Sequence, residues 1–179
     1  MKIVICGRIG SGKSTTAQRI AKELDLKHYS DGDMMRALAI EKGVKLETFV
    51  KQRSDAVDKM IDEKTMMIGK KEDNFIFDSR LAFHFIPDAI KIFLEVSEEV
   101  GSERIFKHQR KSEAPVKTAK ELLKKNKERW ETDRQRFKKL YGVDINDMKN
   151  YDIVIDTTIL DVEGTVHEIK RALRALPKK

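Results

Sequence analysis

Eight residues near the amino terminus, Gly7-Arg8-Ile9-Gly10-Ser11-Gly12-Lys13-Ser14, follow the pattern G-x-x-x-x-G-K-[ST]. Their setting constrains the fold more than any other feature of the chain. Residues 2–6 form a short apolar, β-branched run before them, and Ala17, Ile20, Ala21 and Leu24 recur at helical spacing after them. A strand that runs through a glycine-rich turn into a helix aims backbone N–H groups and the positive end of the helix at bound phosphate. Glycines let the backbone wrap close to that anion. Gly7, Gly10, Ser11, Gly12, Lys13, Ser14 and Thr15 are therefore the expected cradle for the phosphates of ATP. Lys13 is expected to reach the β- and γ-phosphates, and the Ser14 hydroxyl to ligate Mg²⁺. Such a loop identifies a nucleotide and leaves the reaction open.

The strand-then-helix pattern repeats along the chain. Strands are predicted at residues 27–30, 74–78, 90–94 and 152–156, which with 2–6 makes five. Helices are predicted at 33–42, stopped by Gly43, at 46–70 and near 98–109. After a break at 112–115, a long charged helix is predicted at 116–140, stopped by Gly142. A last helix carries Val162, Val166, Ile169, Leu173 and Leu176 on one face. Continuous apolar strands alternating with helices imply an α/β protein: a three-layer α/β/α sandwich around a five-stranded parallel sheet, in one domain spanning 1–179.

Charge narrows the partners. The chain has a formal net charge of +7, but residues 104–139 carry fourteen Lys or Arg against five Asp or Glu, a net of +9 that leaves about −2 for the rest. The basicity belongs to one segment, so it serves something local. No apolar run approaches the roughly 18 residues of a membrane span, and the four apolar residues before Gly7 are too few for a signal-peptide core. A soluble, cytoplasmic monomer is expected. The single cysteine, Cys6, reads as a small buried residue, and His28, His84, His108 and His167 are scattered without zinc spacing.

Ligands of open α/β sheets lie at the carboxyl ends of the strands. Arg36 follows the second strand, Arg80 follows the third, and Arg129, Arg134 and Arg136 cluster on the long helix. Arg129, Asp133 and Arg136 stand at i, i+4 and i+7, on one helix face. An ordinary surface ion pair between Arg129 and Asp133 accounts for that spacing equally well. Asp33 and Asp78 follow strand ends, where a carboxylate can hold Mg²⁺ through water, and helix capping is the rival account of Asp33. Trp130 reads as packing.

In order along the chain, GRIGSGKS, SDGDMMR at 30–36, DSRLAFHFIPDAIKIFLEVS at 78–97, R-x-x-x-D-x-x-R at 129–136 and YDIVIDTT at 151–158 resemble the cytidylate kinases, most closely the short archaeal type. The resemblance runs over nearly the whole chain. It implies a P-loop NTPase fold with a mobile helical lid at about 104–139 and acceptor-binding helices at about 31–73. The implied reaction passes the γ-phosphate of Mg·ATP to CMP or dCMP. Arg36 and Arg80 are implied to grip the acceptor phosphate, Arg129 and Asp133 to touch the acceptor nucleotide, Arg136 to bridge phosphates in the closed state, and Arg110 to lie near the lid. Asp33 resembles the aspartate of the acceptor-site motif, while Ser14 and Asp78 are the metal-facing pair. A phosphate acceptor needs no strong base, being largely dianionic near neutral pH; a small hydroxyl acceptor would need one, with Asp33 the candidate. An ATP-dependent switch gripping RNA through 104–139 is the non-enzymatic alternative.

The chain departs from that family pattern at Ser79, where such kinases carry glycine, and at the bulky Phe83-His84-Phe85. It also lacks the insertion that reads the pyrimidine ring in the larger bacterial enzymes. Asp58 and Asp62, one turn apart, are either base contacts or part of a solvated helix face. Gly101 stands where bulkier residues are usual.

Overall fold

The structure is a computed structural model that describes residues 1–52, 54–108 and 116–177. Five strands pair in parallel in the order β2-β3-β1-β4-β5, with β1 at Lys2–Gly7, β2 at Lys27–Ser30, β3 at Phe75–Asp78, β4 at Ile90–Glu95 and β5 at Ile153–Asp156. Side chains alternate across the central strand. Ile3 and Ile5 face a core completed by α1 (Lys13–Glu23) and α8 (Val162–Ala175), with Ala17, Ile20, Val166 and Ile169 buried there. Val4 and Cys6 face the opposite core, where Phe75, Phe77, Phe93, Trp130 and Tyr151 pack. Burial on both faces is why the strands read as unbroken apolar runs. Cys6 and Trp130 are core residues, as expected from the sequence.

Helices α2 (Asp31–Glu41), α3 (Leu46–Lys51) and α4 (Asp55–Lys71) lie between β2 and β3 in the chain, α5 (Ala82–Phe85) follows β3, α6 (Glu98–Lys107) follows β4, and α7 (Ala119–Tyr141) leads to β5. The single helix expected at 46–70 is two. The Gln52 N–H closes α3 on the Thr48 carbonyl, and the Ser54 carbonyl accepts from Val57 and Asp58 to start α4. Asp55 and Asp58 sit in the first turn of α4, where negative charge offsets the helix dipole. Phe49 is buried while Val50 is exposed, so the apolar pattern there joined two short stretches. The long charged helix begins three residues later than expected because Thr118 caps it, its hydroxyl accepting from Glu121 N at 3.1 Å, and it ends at Gly142. The short α5 and a 3₁₀ turn at Met148–Asn150 were not expected. Among the described residues no helix is long and apolar enough to cross a membrane.

Gly101 gains an account here. It brings α6 into backbone contact with the phosphate loop: a Cβ on Gly10 (φ +85°) would lie 2.2 Å from the Gly101 carbonyl oxygen, and one on Gly101 would lie 2.6 Å from that of Ile9. Next to it, buried Ser102 accepts from Asn126 Nδ2 of α7 at 3.2 Å. The loop, α6 and α7 thus form one packed stack. Gly101→Ala is expected to destabilise the protein by about 1–3 kcal/mol through overpacking, read by urea unfolding, since neither backbone at the contact can rotate away.

Candidate active site

The phosphate loop leaves β1 at the carboxyl edge of the sheet and enters α1 through Gly12, held at φ +82°. Lys13 opens that helix, with Ser14 half-buried and Thr15 exposed beside it. Ser11 is buried, and its carbonyl lies 3.2 Å from the hydroxyl of fully buried Thr157, which also reaches the Glu95 carbonyl at 2.9 Å. The loop is thereby tied to the ends of β4 and β5. Arg104, on α6, donates to the carbonyls of Thr157 (2.7 Å), Thr158 (3.2 Å) and Leu160 (2.9 Å), fixing the turn after β5. The sequence reading assigned neither Thr157 nor Arg104.

Lys13 Nζ lies 3.5 Å from Asp78 Oδ1 at the end of β3. Its ammonium is held below its ordinary pKa, by burial first and then by repulsion from Arg80 and Arg129, with Asp78 pulling the other way. Lys13 and Asp78, both singled out in the sequence, therefore meet at this strand edge. Arg80 in turn pairs with Asp133 at 3.2 Å. Asp133 is a buried residue of α7, so it does not lie on a solvated face, and it reaches across to the loop after β3.

On α2, Arg36 Nη2 and Asp33 Oδ1 are 2.5 Å apart, and the guanidinium folds back over Gly32. Capping does not explain Asp33: the cap is Ser30, whose hydroxyl accepts from Asp33 N at 3.3 Å. Arg136 pairs with Asp58 and lies 3.3 Å from Asp55, and Tyr141 donates its hydroxyl to Asp62. Asp58 and Asp62 therefore face α7 rather than forming a solvated face. Arg110 lies outside the described residues.

The carboxylate that sequence reasoning missed is Asp31. It stands directly after β2, and its neighbour Ser30 is in register with Asp78 of β3. Ser79 donates its hydroxyl to Asp31 and accepts from the N–H groups of Leu81 (3.0 Å) and Ala82 (2.9 Å). Burial pushes the Asp31 carboxyl up to about 6, with the Ser79 hydrogen bond and Arg80 opposing and Asp78 adding to the rise. Adjacency to the strand end was the available signal; likeness to the aspartate of the acceptor-site motif favoured Asp33 instead.

The profile of the Cytidylate kinase-like family matches residues 2–159. The chain belongs to the cytidylate kinase-like family. Among relatives, the cytidylate kinase of Methanothrix thermoacetophila is 34% identical over 178 residues, covering 98% of this chain and 99% of that one. That of Archaeoglobus fulgidus is 34% identical over 176 residues, covering 97% and 94%. An S-adenosylmethionine-dependent nucleotide dehydratase of Lacinutrix mariniflava is 38% identical over 159 residues; the match takes in 87% of this chain and 32% of that protein. A shikimate kinase from Bacteroides thetaiotaomicron superposes with a TM-score of 0.69 at 15% identity, over 97% of this chain and 98% of that one, a likeness of P-loop fold.

Within this family member one arginine of the α7 cluster is structural. Arg134 makes a two-pronged pair with Asp144, at 2.9 and 2.8 Å, and lies 3.4 Å from Glu131. The Arg134 hydrogen bonds, then the Asn146 N–H, hold the Asp144 carboxyl at about 2 against an ordinary 3.8. A folded-state value below the unfolded one gives stability that is present above about pH 4 and is lost as the pH falls toward 2. Both side chains are partly exposed, so Asp144→Asn is expected to cost about 1 kcal/mol at pH 7 by urea unfolding, a difference that closes at about pH 2.

Proposed function

We propose that this chain is a kinase that moves the γ-phosphate of Mg·ATP onto a nucleoside monophosphate, with CMP or dCMP as acceptor, acting as a monomer. One observation carries the reading: Lys13 of the phosphate loop lies 3.5 Å from Asp78 at the end of β3, and Arg80, two residues further on, pairs with Asp133 of α7 at 3.2 Å, so cations from two elements come to one strand edge. Phosphoryl transfer between two nucleotides brings two polyanions together, and a cluster of cations across the gap is what offsets their repulsion. Lys13, with the loop amides, serves the donor; Arg36 and Arg80 hold the acceptor phosphate; Arg129 and Asp133 contact the acceptor nucleotide; Arg136 bridges phosphates in the closed state, with Arg110 near the lid that closes on ATP. Apart from Arg110, which lies outside the described residues, all of these are offered by one chain, as a monomer requires.

The residues present fit Mg²⁺. Ser14 and Asp78 offer oxygen donors only, and among the described residues no group of three or more His, Cys, Asp and Glu could hold a metal. That suits a cation carried largely by phosphate oxygens with one or two protein ligands. When bound, it neutralises charge on the transferring group. The acceptor base follows the names of the archaeal relatives, and the nucleotide in the dehydratase's name supports a nucleotide over a simple alcohol.

The test is release of ADP from Mg·ATP with CMP, dCMP, UMP, AMP and GMP offered in parallel. Turnover is expected with CMP or dCMP and to disappear in Lys13→Ala. Arg80→Ala is expected to lower kcat/KM by about 10²–10³. Silence with all five monophosphates overturns the reading.

A further inference from the structure

Two carboxylates at this strand edge are unusual in a cleft built for polyanions. Asp78 is 4% exposed, and neither its Oδ1 nor the buried Oδ1 of Asp31 makes a hydrogen bond. Lys13 Nζ lies 3.5 Å from Asp78 Oδ1, too far for a hydrogen bond of ordinary length. Asp31 cannot turn away, because Ser79 holds its other oxygen, and the Ser79 hydroxyl is itself fixed by two backbone N–H groups. Buried anionic oxygens with no hydrogen-bond donor are costly unless something positive meets them.

When Lys13 turns to a phosphate, Asp31 and Asp78 would face that phosphate with two negative charges and the loss of the one cation within 4 Å of Asp78 among the described residues. An extra proton donor from the acceptor could satisfy one oxygen, but it leaves the repulsion in place. A divalent cation removes both problems, since it binds carboxylate and phosphate oxygens at once. Resting on the kinase reading above, we propose that Asp31 is a second carboxylate for the divalent cation, set beside Asp78 and Ser14 and aimed by Ser79. Ser79, where related kinases carry glycine, thereby has a role: it is the positioning residue for Asp31.

The decisive experiment is calorimetric binding of ADP to wild type, Asp31→Asn and Ser79→Ala, each with excess Mg²⁺ and again with the metal chelated. Wild type is expected to bind ADP more tightly with Mg²⁺. In Asp31→Asn that Mg²⁺-dependent gain is expected to fall about tenfold, while metal-free ADP affinity holds or rises because a negative charge has gone. Ser79→Ala is expected to move the same way by about threefold, and it keeps the proposal testable if the Asn variant fails to fold. An unchanged Mg²⁺ gain in the folded variants overturns the proposal while leaving the kinase reading intact; lost turnover with that gain unchanged would make Asp31 an acceptor contact or base instead. Wild-type protein that binds no ADP, with or without Mg²⁺, overturns both.

Discussion

The cleft stands on charge compensation. Lys13, Arg36, Arg80 and Arg136 are each paired with a carboxylate, Asp78, Asp33, Asp133 and Asp58, of which only Asp33 lies on the same helix as its partner. On the proposed function, these pairs would fix long, flexible side chains before a ligand arrives, so part of the ordering cost is already met. They are also replaceable. A phosphate offers the same oxygen chemistry as a carboxylate with more charge, so binding exchanges one partner for another rather than creating cation sites anew.

The exchange depends on where the fold delivers these groups. β1 is the middle strand and is buried on both faces, so the phosphate loop leaves the sheet beside the ends of β3 and β4. Asp78 is in register with Ile5 on one side and with Ser30 on the other, which sets Lys13, Asp78 and Asp31 in a row across three strands. α6 then clamps the loop through Gly101, and Ser102 passes that contact to α7. Parallel strand order thus places residues more than sixty positions apart in sequence around one amine.

Much of this was legible in the sequence, and the exceptions have physical reasons. The phosphate loop, five strands and apolar face of α8 rest on local periodicity and on a motif whose spacing the chemistry demands. Partnerships across the sheet do not. Asp133 is spaced to pair with Arg129 on its own helix, yet it reaches Arg80, because burial of that helix face puts the loop after β3 within range. Arg134 looks like a third phosphate ligand, but Asp144, ten residues on, returns past Gly142 to claim it. Asp31 went unread since a serine fifty residues away gives it meaning. Even the basic stretch changes character in three dimensions: Lys125 pairs with Glu121 and Lys127 with Glu98, leaving less bare charge than its composition implies.

The bulky Phe83-His84-Phe85 departure fits the same logic. Tyr141 packs against His84 and Phe85 at ring distances of 5.8 and 5.4 Å while its hydroxyl binds Asp62. One residue therefore joins α5, α4 and α7, and Arg136 bound to Asp58 joins α4 to α7 a second time. α4 and α7 are tied by the Tyr141 hydroxyl on Asp62 and by Arg136 on Asp58 and Asp55. Only the ionic contact competes with phosphate. On the proposed function, a phosphate that draws Arg136 away from Asp58 would loosen the ionic tie and leave the Tyr141 hydrogen bond to Asp62 in place.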